Sequence, residues 1–113
     1  MHYDVVFHVD EDEAKLEMAL TNIRNYFSGL AKEKFTVVLL VNGPAIKLMG
    51  RQDSRAGQLA DLAAQGLSVR VCQNAMNHFG LAPEWLNPVC RIVAAGVIEL
   101  VELQRQGFAS IKP

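Results

Sequence analysis

The sequence lacks any hydrophobic run long enough to cross a membrane. The longest uninterrupted apolar stretch among its 113 residues is VVLLV, residues 37–41. A membrane-spanning helix needs roughly 20 apolar residues. The amino-terminal segment also has neither the basic region nor the small-residue cleavage site of a signal peptide. We therefore expect a cytoplasmic protein that contacts no membrane.

The chain also has little excess charge of either sign. Its 11 basic and 12 acidic residues are interspersed and give a net charge of −1. No basic face of the kind that binds nucleic acid is indicated. Half of the residues are apolar and a fifth are charged, as in compact globular domains. The length allows one hydrophobic core, so we expect a single domain over residues 1–113.

Several sequence motifs of cofactor and metal sites are missing. The sequence contains no GxGxxG, P-loop or GxSxG motif, which leaves nucleotide binding and serine hydrolysis without their usual signature. His2, His8, His78 and Cys72 do not have the paired spacing of zinc ligands. We therefore expect no metal and no cofactor. The acidic run DEDE at residues 10–13 is more typical of a capped helix start than of a catalytic carboxylate pair.

What the sequence does contain is a regular alternation of strand-like and helix-like segments. Apolar, β-branched runs predict strands at residues 3–9, 35–43 and 67–72, a fourth strand from Cys90, and a short last strand in FASIKP. The second run is almost entirely apolar, which is typical of a central strand covered on both faces.

The segments between these strands have helical spacing. Apolar residues recur every three or four positions from Leu16 to Leu30. Shorter helices are predicted from about Pro44, over residues 55–65, after Cys72, and from Gly96 to Gly107. Strand and helix in this order predict an α/β fold: a three-layer helix-sheet-helix sandwich with a mainly parallel sheet of about five strands.

In open α/β sheets, ligands bind at the carboxyl ends of the strands. Cys72 lies at such an end, where a following helix and the nearby Arg70 or His78 would favour the thiolate. Free cysteines are also among the most buried residues. The residues alone therefore leave two interpretations of Cys72 open: a reactive thiol or a packing side chain.

Three other strand-end residues have a functional and a structural interpretation. His8 can donate to a ligand or be a satisfied structural histidine. Asn42 and Gly43 can present a backbone N–H to an anion or form an ordinary turn into a helix. Cys90 would begin a strand, so in a parallel sheet it lies too far from Cys72 for a disulfide, and we interpret it as packing.

Four segments carry a family resemblance: VVFHVDE, VVLLVNGPAI, GLSVRVCQNAM and VAAGVIELVELQRQGFASIKP. Together they resemble the DsrE/DsrF-like proteins of intracellular sulfur metabolism over nearly the whole chain. The resemblance implies a compact α/β fold and assembly into oligomers. It also implies that Cys72 accepts sulfur as a persulfide and passes it on, with Asn42, Gly43 and Asn74 shaping its pocket.

Three hypotheses follow. The first is a sulfur relay protein that works through Cys72, with separate donor and acceptor proteins as partners. The second is a non-catalytic, oligomeric binding module whose pocket at the strand carboxyl ends holds a small ligand or peptide. The third is a purely structural subunit. A homo-oligomer is expected in each case, with Phe79, Trp85 and Leu86 as candidate contact residues unless they cap the chain's own core.

Overall fold

One sheet of five parallel strands organises the molecule. The computed structural model describes residues 2–113, and its strand order is β4-β3-β2-β1-β5. The strands are β1 (Val5–Val9), β2 (Val37–Val41), β3 (Leu67–Cys72), β4 (Cys90–Val93) and β5 (Ala109–Ile111). Each neighbouring pair is parallel. The predicted parallel α/β sheet and the central place of the second strand are confirmed.

Helices cover both faces of this sheet unequally. The helices are α1 (Glu13–Gly29), α2 (Ala56–Ala64), α3 (Gln73–His78) and α4 (Gly96–Arg105), with 3₁₀ helices at Gly43–Leu48 and Pro83–Trp85. Buried residues of α1, α2 and α3 belong to the larger core, whereas Leu103 of α4 belongs to a smaller one. The predicted three-layer sandwich is confirmed.

The strand order explains this distribution. From β1 to β4 the chain moves steadily across the sheet, and right-handed crossovers place the three intervening connections on one face. After β4 the chain crosses back over the whole sheet, and β5 pairs in parallel with the far side of β1. A right-handed connection in that direction lies on the other face, which is where α4 packs.

The central strand β2 joins the two cores. All five of its residues are buried. Val37, Leu39 and Val41 contribute to the larger core, and Val38 and Leu40 contribute to the smaller one. This follows from the alternation of side chains along a strand, and it explains why the sequence of β2 shows no polar positions.

The start of α1 agrees with the prediction from the acidic run. Asp12 is the N-cap, and its carboxylate accepts a hydrogen bond from the backbone N–H of Lys15 at 3.0 Å. Leu16, Ala19, Leu20 and Ile23 are fully buried. The helix predicted from Pro44 is a 3₁₀ helix, with Pro44 in its first turn, where the missing N–H of proline removes no internal hydrogen bond.

The loop over residues 81–88, which contains Pro83 and Pro88, packs on the chain itself. Leu86 is buried and forms an isolated bridge with Gly50, and a Cβ on Gly50 would lie 2.7 Å from the Trp85 ring. Of the two alternatives for Trp85 and Leu86, the core cap is therefore the one observed. The most exposed large apolar side chains lie on α4 instead, at Val97 and Ile98, both 62% exposed. The expected homo-oligomer stays a prediction, which sedimentation of the purified chain can test.

Candidate functional site

A cleft of about 420 Å³ lies at the carboxyl edge of β2 and β3. It is lined by Asn42, Gly43, Pro44, Cys72, Asn74, Ala75, His78 and Phe79. The register explains why these residues meet. Val41 is paired with Val71, so continuing both strands by one residue brings Asn42 beside Cys72. The cleft thus joins five of the residues that the sequence singled out: Asn42, Gly43, Cys72, Asn74 and His78.

Cys72 is the one cysteine that lines this cleft. It is the last residue of β3 and the N-cap of α3, with extended backbone angles, and its side chain makes no capping hydrogen bond. It lines the cleft but exposes only 6% of its surface. A reagent therefore has to enter the cleft to meet the sulfur, and the surrounding residues decide which reagents can do so.

Asn42 is held by a neighbour on the adjacent strand. His8 Nε2 lies 2.9 Å from Asn42 Oδ1. On the other side of the carboxamide, a Cβ placed on Gly96 would lie 3.0 Å from Asn42 Nδ2. Glycine at the first position of α4 therefore allows this helix to approach Asn42. His8 reaches the site through Asn42 and does not line the cleft itself.

Gly43 forms the turn that follows Asn42. Its φ angle is +57°, and a Cβ there would lie 2.7 Å from the backbone oxygen of Asp10. Only glycine combines this backbone conformation with such a close approach. The Asp10 carboxylate pairs with Lys112 Nζ at 3.2 Å through Oδ2, while its other oxygen is buried without a hydrogen bond. The turn at Gly43 therefore packs against Asp10, the residue that follows β1, and Asp10 is in turn paired with Lys112, the residue that follows β5.

The opposite wall of the cleft consists of α3 and an aromatic side chain. His78 and Phe79 line it, with their rings edge to face at 4.8 Å. The ammonium of Lys47 lies 4.4 Å from the centre of the Phe79 ring. Sequence reasoning left Pro44, Ala75 and Phe79 out of the site. The signal for two of them was helical spacing, since Ala75 in α3 and Phe79, the residue that caps its end, lie four positions apart and therefore on the same side of the helix.

Arg70 does not serve the thiol as the sequence suggested. Its guanidinium donates to the Glu99 carboxylate at 2.6 Å and to the Ser68 hydroxyl at 3.1 Å. Both partners are part-buried, and Glu99 belongs to α4. The Arg70 guanidinium therefore forms an ion pair with α4. This ion pair links β3 to the helix that covers the smaller core.

Cys90 has the packing role that the sequence predicted. It is paired with Val69, whereas Cys72 is paired with Val93, so the two cysteines lie at opposite ends of neighbouring strands. Both are free thiols. Burial raises the pKa of the Cys90 thiol to about 12. At neutral pH it is therefore a protonated, weakly nucleophilic side chain.

The raised pKa of Cys90 predicts a loss of stability in alkaline solution. Between pH 9.0, the ordinary pKa, and about 12, the unfolded chain releases a proton that the folded chain keeps. The free energy of unfolding then falls by roughly 1.4 kcal/mol per pH unit from this group. Denaturant unfolding of the native chain and Cys90→Ala across this range measures it. If the free energy of unfolding fell equally steeply with pH in both proteins, the raised pKa of Cys90 would be wrong.

The structure offers no other site of comparable chemistry in residues 2–113. A second cavity of about 450 Å³ lies at the amino-terminal side of β2 and holds no cysteine or histidine. No group of three His, Cys, Asp or Glu side chains that could hold a metal ion occurs in the described part of the chain. None of the helices described is long and apolar enough to cross a membrane.

The fold and the cleft define a class: a small three-layer α/β protein with a single cysteine at the carboxyl edge of a parallel sheet. The model of the DsrE/DsrF-like family matches residues 3–113. The chain belongs to the DsrE/DsrF-like family, as its sequence motifs predicted. This membership suggests a role in sulfur relay in general.

Two solved structures share the architecture. A protein of unknown function from Methanobacterium thermoautotrophicum is 28% identical, with a TM-score of 0.92 over 98% of this chain and 99% of that one. A conserved protein of unknown function from Bacteroides thetaiotaomicron is 16% identical, with a TM-score of 0.73 over 97% of this chain and 94% of that one. The second likeness concerns the fold alone. Among curated proteins, none matches this chain.

Proposed function

We propose that the protein is a sulfur relay protein that carries sulfane sulfur as a persulfide on Cys72 and passes it to a partner protein. The observation that carries the proposal is the position of Cys72 on the wall of an open cleft, at the carboxyl edge of the sheet. Membership of a family associated with sulfur relay supports it. The remaining cysteine, Cys90, is withdrawn from this edge.

The reaction needs only exchange between sulfur atoms. The Cys72 thiolate attacks the outer sulfur of a donor persulfide R–S–SH. One S–S bond forms, the S–S bond of the donor breaks, and the donor leaves as the thiolate R–S⁻. With thiosulfate the leaving group is sulfite, and Cys72 retains the sulfur as Cys72–S–S⁻. Atoms and charge balance in both cases, and no external oxidant or reductant takes part.

Discharge of the persulfide requires a thiol from another molecule. Cys90 begins β4 and is paired with Val69, three residues before Cys72 on β3. It has a pKa raised to about 12 by burial, so it is a poor attacking group at neutral pH. A closed two-cysteine cycle within the chain is therefore disfavoured. An acceptor that brings its own thiolate to the cleft fits the geometry, which is the arrangement of a relay.

Intact mass spectrometry after incubation with thiosulfate tests the proposal. We expect the native chain to gain one sulfur that a reducing agent removes. Cys72→Ser should gain none, and Cys90→Ser is the matched control that should gain sulfur as the native chain does. An equal gain in Cys72→Ser, or no gain in any of the three proteins with thiosulfate or a small-molecule persulfide, would refute the carrier function.

The low exposure of Cys72, 6% of its surface, favours a second candidate. In this case the cleft is the pocket of a non-catalytic oligomeric module and holds a small ligand or peptide. The Cys72→Ser chain would then keep ligand binding and assembly, because the serine side chain fills nearly the same space. Parallel binding titrations and sedimentation of the native and Cys72→Ser chains separate this candidate from the carrier.

A further inference from the structure

One side of α4 is apolar and faces solvent. Val97 and Ile98 are each 62% exposed, and Val101 is 46% exposed. Val101 follows the other two at spacings of four and three residues, so the three side chains are neighbours on the helix surface. Leu103 is buried on the other side of α4, in the smaller core. Three aliphatic side chains therefore form a continuous surface, which we call the α4 stripe.

The exposed charges of α4 lie toward its carboxyl-terminal end. Glu102 and Arg105 are exposed there, whereas Glu99 is part-buried and paired with Arg70. At the other end of the helix the N-cap is Ala95, whose side chain has no oxygen that could accept from the first N–H groups. The stripe thus lies between a helix N-terminus without a side-chain cap, where the helix dipole is positive, and an exposed carboxylate.

A second copy of α4 in antiparallel orientation complements both features. With a two-fold axis midway between Val97 and Val101, Val97 of one copy lies opposite Val101 of the other, and the two Ile98 side chains lie close to the axis. The same arrangement brings Glu102 of each copy to the N-terminus of the other helix, where a negative charge is favourable. A parallel pair would instead place like charges together at Glu102 and at Arg105.

We propose that the α4 stripe is the interface of a two-fold symmetric dimer in which two copies of α4 pack antiparallel. Two-fold dimers are the commonest soluble oligomers. The stripe is small beside the roughly 20–30 residues that each partner gives to a stable interface, so the dimer is weak: micromolar solutions are monomeric, and dimers form toward millimolar concentration. None of the residues that line the cleft belongs to α4. Sulfur uptake at Cys72 therefore does not depend on pairing, and the two proposals fail independently.

Sedimentation equilibrium of the native chain, from micromolar to near-millimolar concentration, tests the dimer. We expect the average mass to rise from that of one chain toward that of two. Val101→Glu should weaken association at least about tenfold, because pairing would bury a carboxylate of each copy against aliphatic side chains. Met18→Glu is the matched control. Met18 is 50% exposed on α1, which packs on the larger core, so this variant should associate as the native chain does.

Two results of the sedimentation series would overturn the proposal. A native chain that stays monomeric throughout the series would leave the α4 stripe to a different protein. Association as strong in a folded Val101→Glu chain as in the native chain would place the interface elsewhere on the molecule.

Disulfide cross-linking tests the antiparallel orientation and does not depend on the folding of Val101→Glu. Val97→Cys and Val101→Cys are each made in a background that carries Cys72→Ser and Cys90→Ser, and one of them is labelled with ¹⁵N. After mild oxidation of an equal mixture near millimolar concentration, we expect most cross-links to join one chain of each variant. Cross-links mainly between identical chains, or none at all, would contradict the antiparallel dimer.

Discussion

Gly43→Ala is expected to lower the free energy of unfolding by about 2–4 kcal/mol. Two costs add at this position. The φ angle of +57° is unfavourable for any residue with a Cβ, and that Cβ would lie 2.7 Å from the backbone oxygen of Asp10. A backbone atom cannot move aside as a flexible side chain can. The turn would have to open and carry Asn42 away from Cys72.

Urea denaturation of Gly43→Ala measures the loss, and Gly57→Ala is the matched control. Gly57 lies inside α2, and a Cβ there meets nothing within 4 Å. The control is expected to gain about 0.5–1 kcal/mol from the better helix propensity of alanine. Equal stability of the two variants would contradict the positive φ angle and the close backbone contact described for Gly43.

Leu39→Ala should destabilise the chain by about 2–5 kcal/mol. Leu39 is fully buried in the central strand and belongs to the larger core, beneath the helices of that face. Its β-sheet neighbours are Phe7 on β1 and Val69 on β3. Truncation therefore leaves a cavity at a place where three strands meet and where the surrounding backbone has little room to collapse.

A surface residue of similar size provides the comparison for Leu39. Ile98 on α4 is 62% exposed, so Ile98→Ala should change the free energy of unfolding by no more than about 0.5 kcal/mol. Thermal and urea unfolding of both variants give the two values. A cost for Leu39→Ala as small as that for Ile98→Ala would mean that β2 is not the centre of the core.

The strands and helices were predictable from the sequence because the spacing of apolar residues along the chain reflects which side chains are buried in each element. The buried run of β2 and the acidic N-cap of α1 each appear in the sequence as a local pattern. Strand order does not, because it depends on which strands meet in three dimensions. The return of β5 to the side of β1, and hence the place of α4, came only from the structure.

The site was predictable in its members but not in its contacts. A parallel sheet brings strand ends to one edge, so Asn42 and Cys72 were expected to meet, and they line the same cleft. The partners of long polar side chains depend on distances in the folded structure, and the spacing of residues along the sequence does not give these distances. Arg70 therefore pairs with Glu99 of α4 and not with the thiol, and His8 binds Asn42.

The most direct test of the persulfide on Cys72 is to locate the sulfur in the native chain after it reacts with thiosulfate. Trypsin leaves both cysteines in one peptide, because no Lys or Arg lies between Cys72 and Cys90. Chymotrypsin, which cleaves after aromatic residues such as Phe79 and Trp85, separates the two cysteines. We expect the added sulfur on the peptide that contains Cys72 and none on the peptide that contains Cys90. Sulfur on Cys90, or on neither peptide, would contradict the relay function.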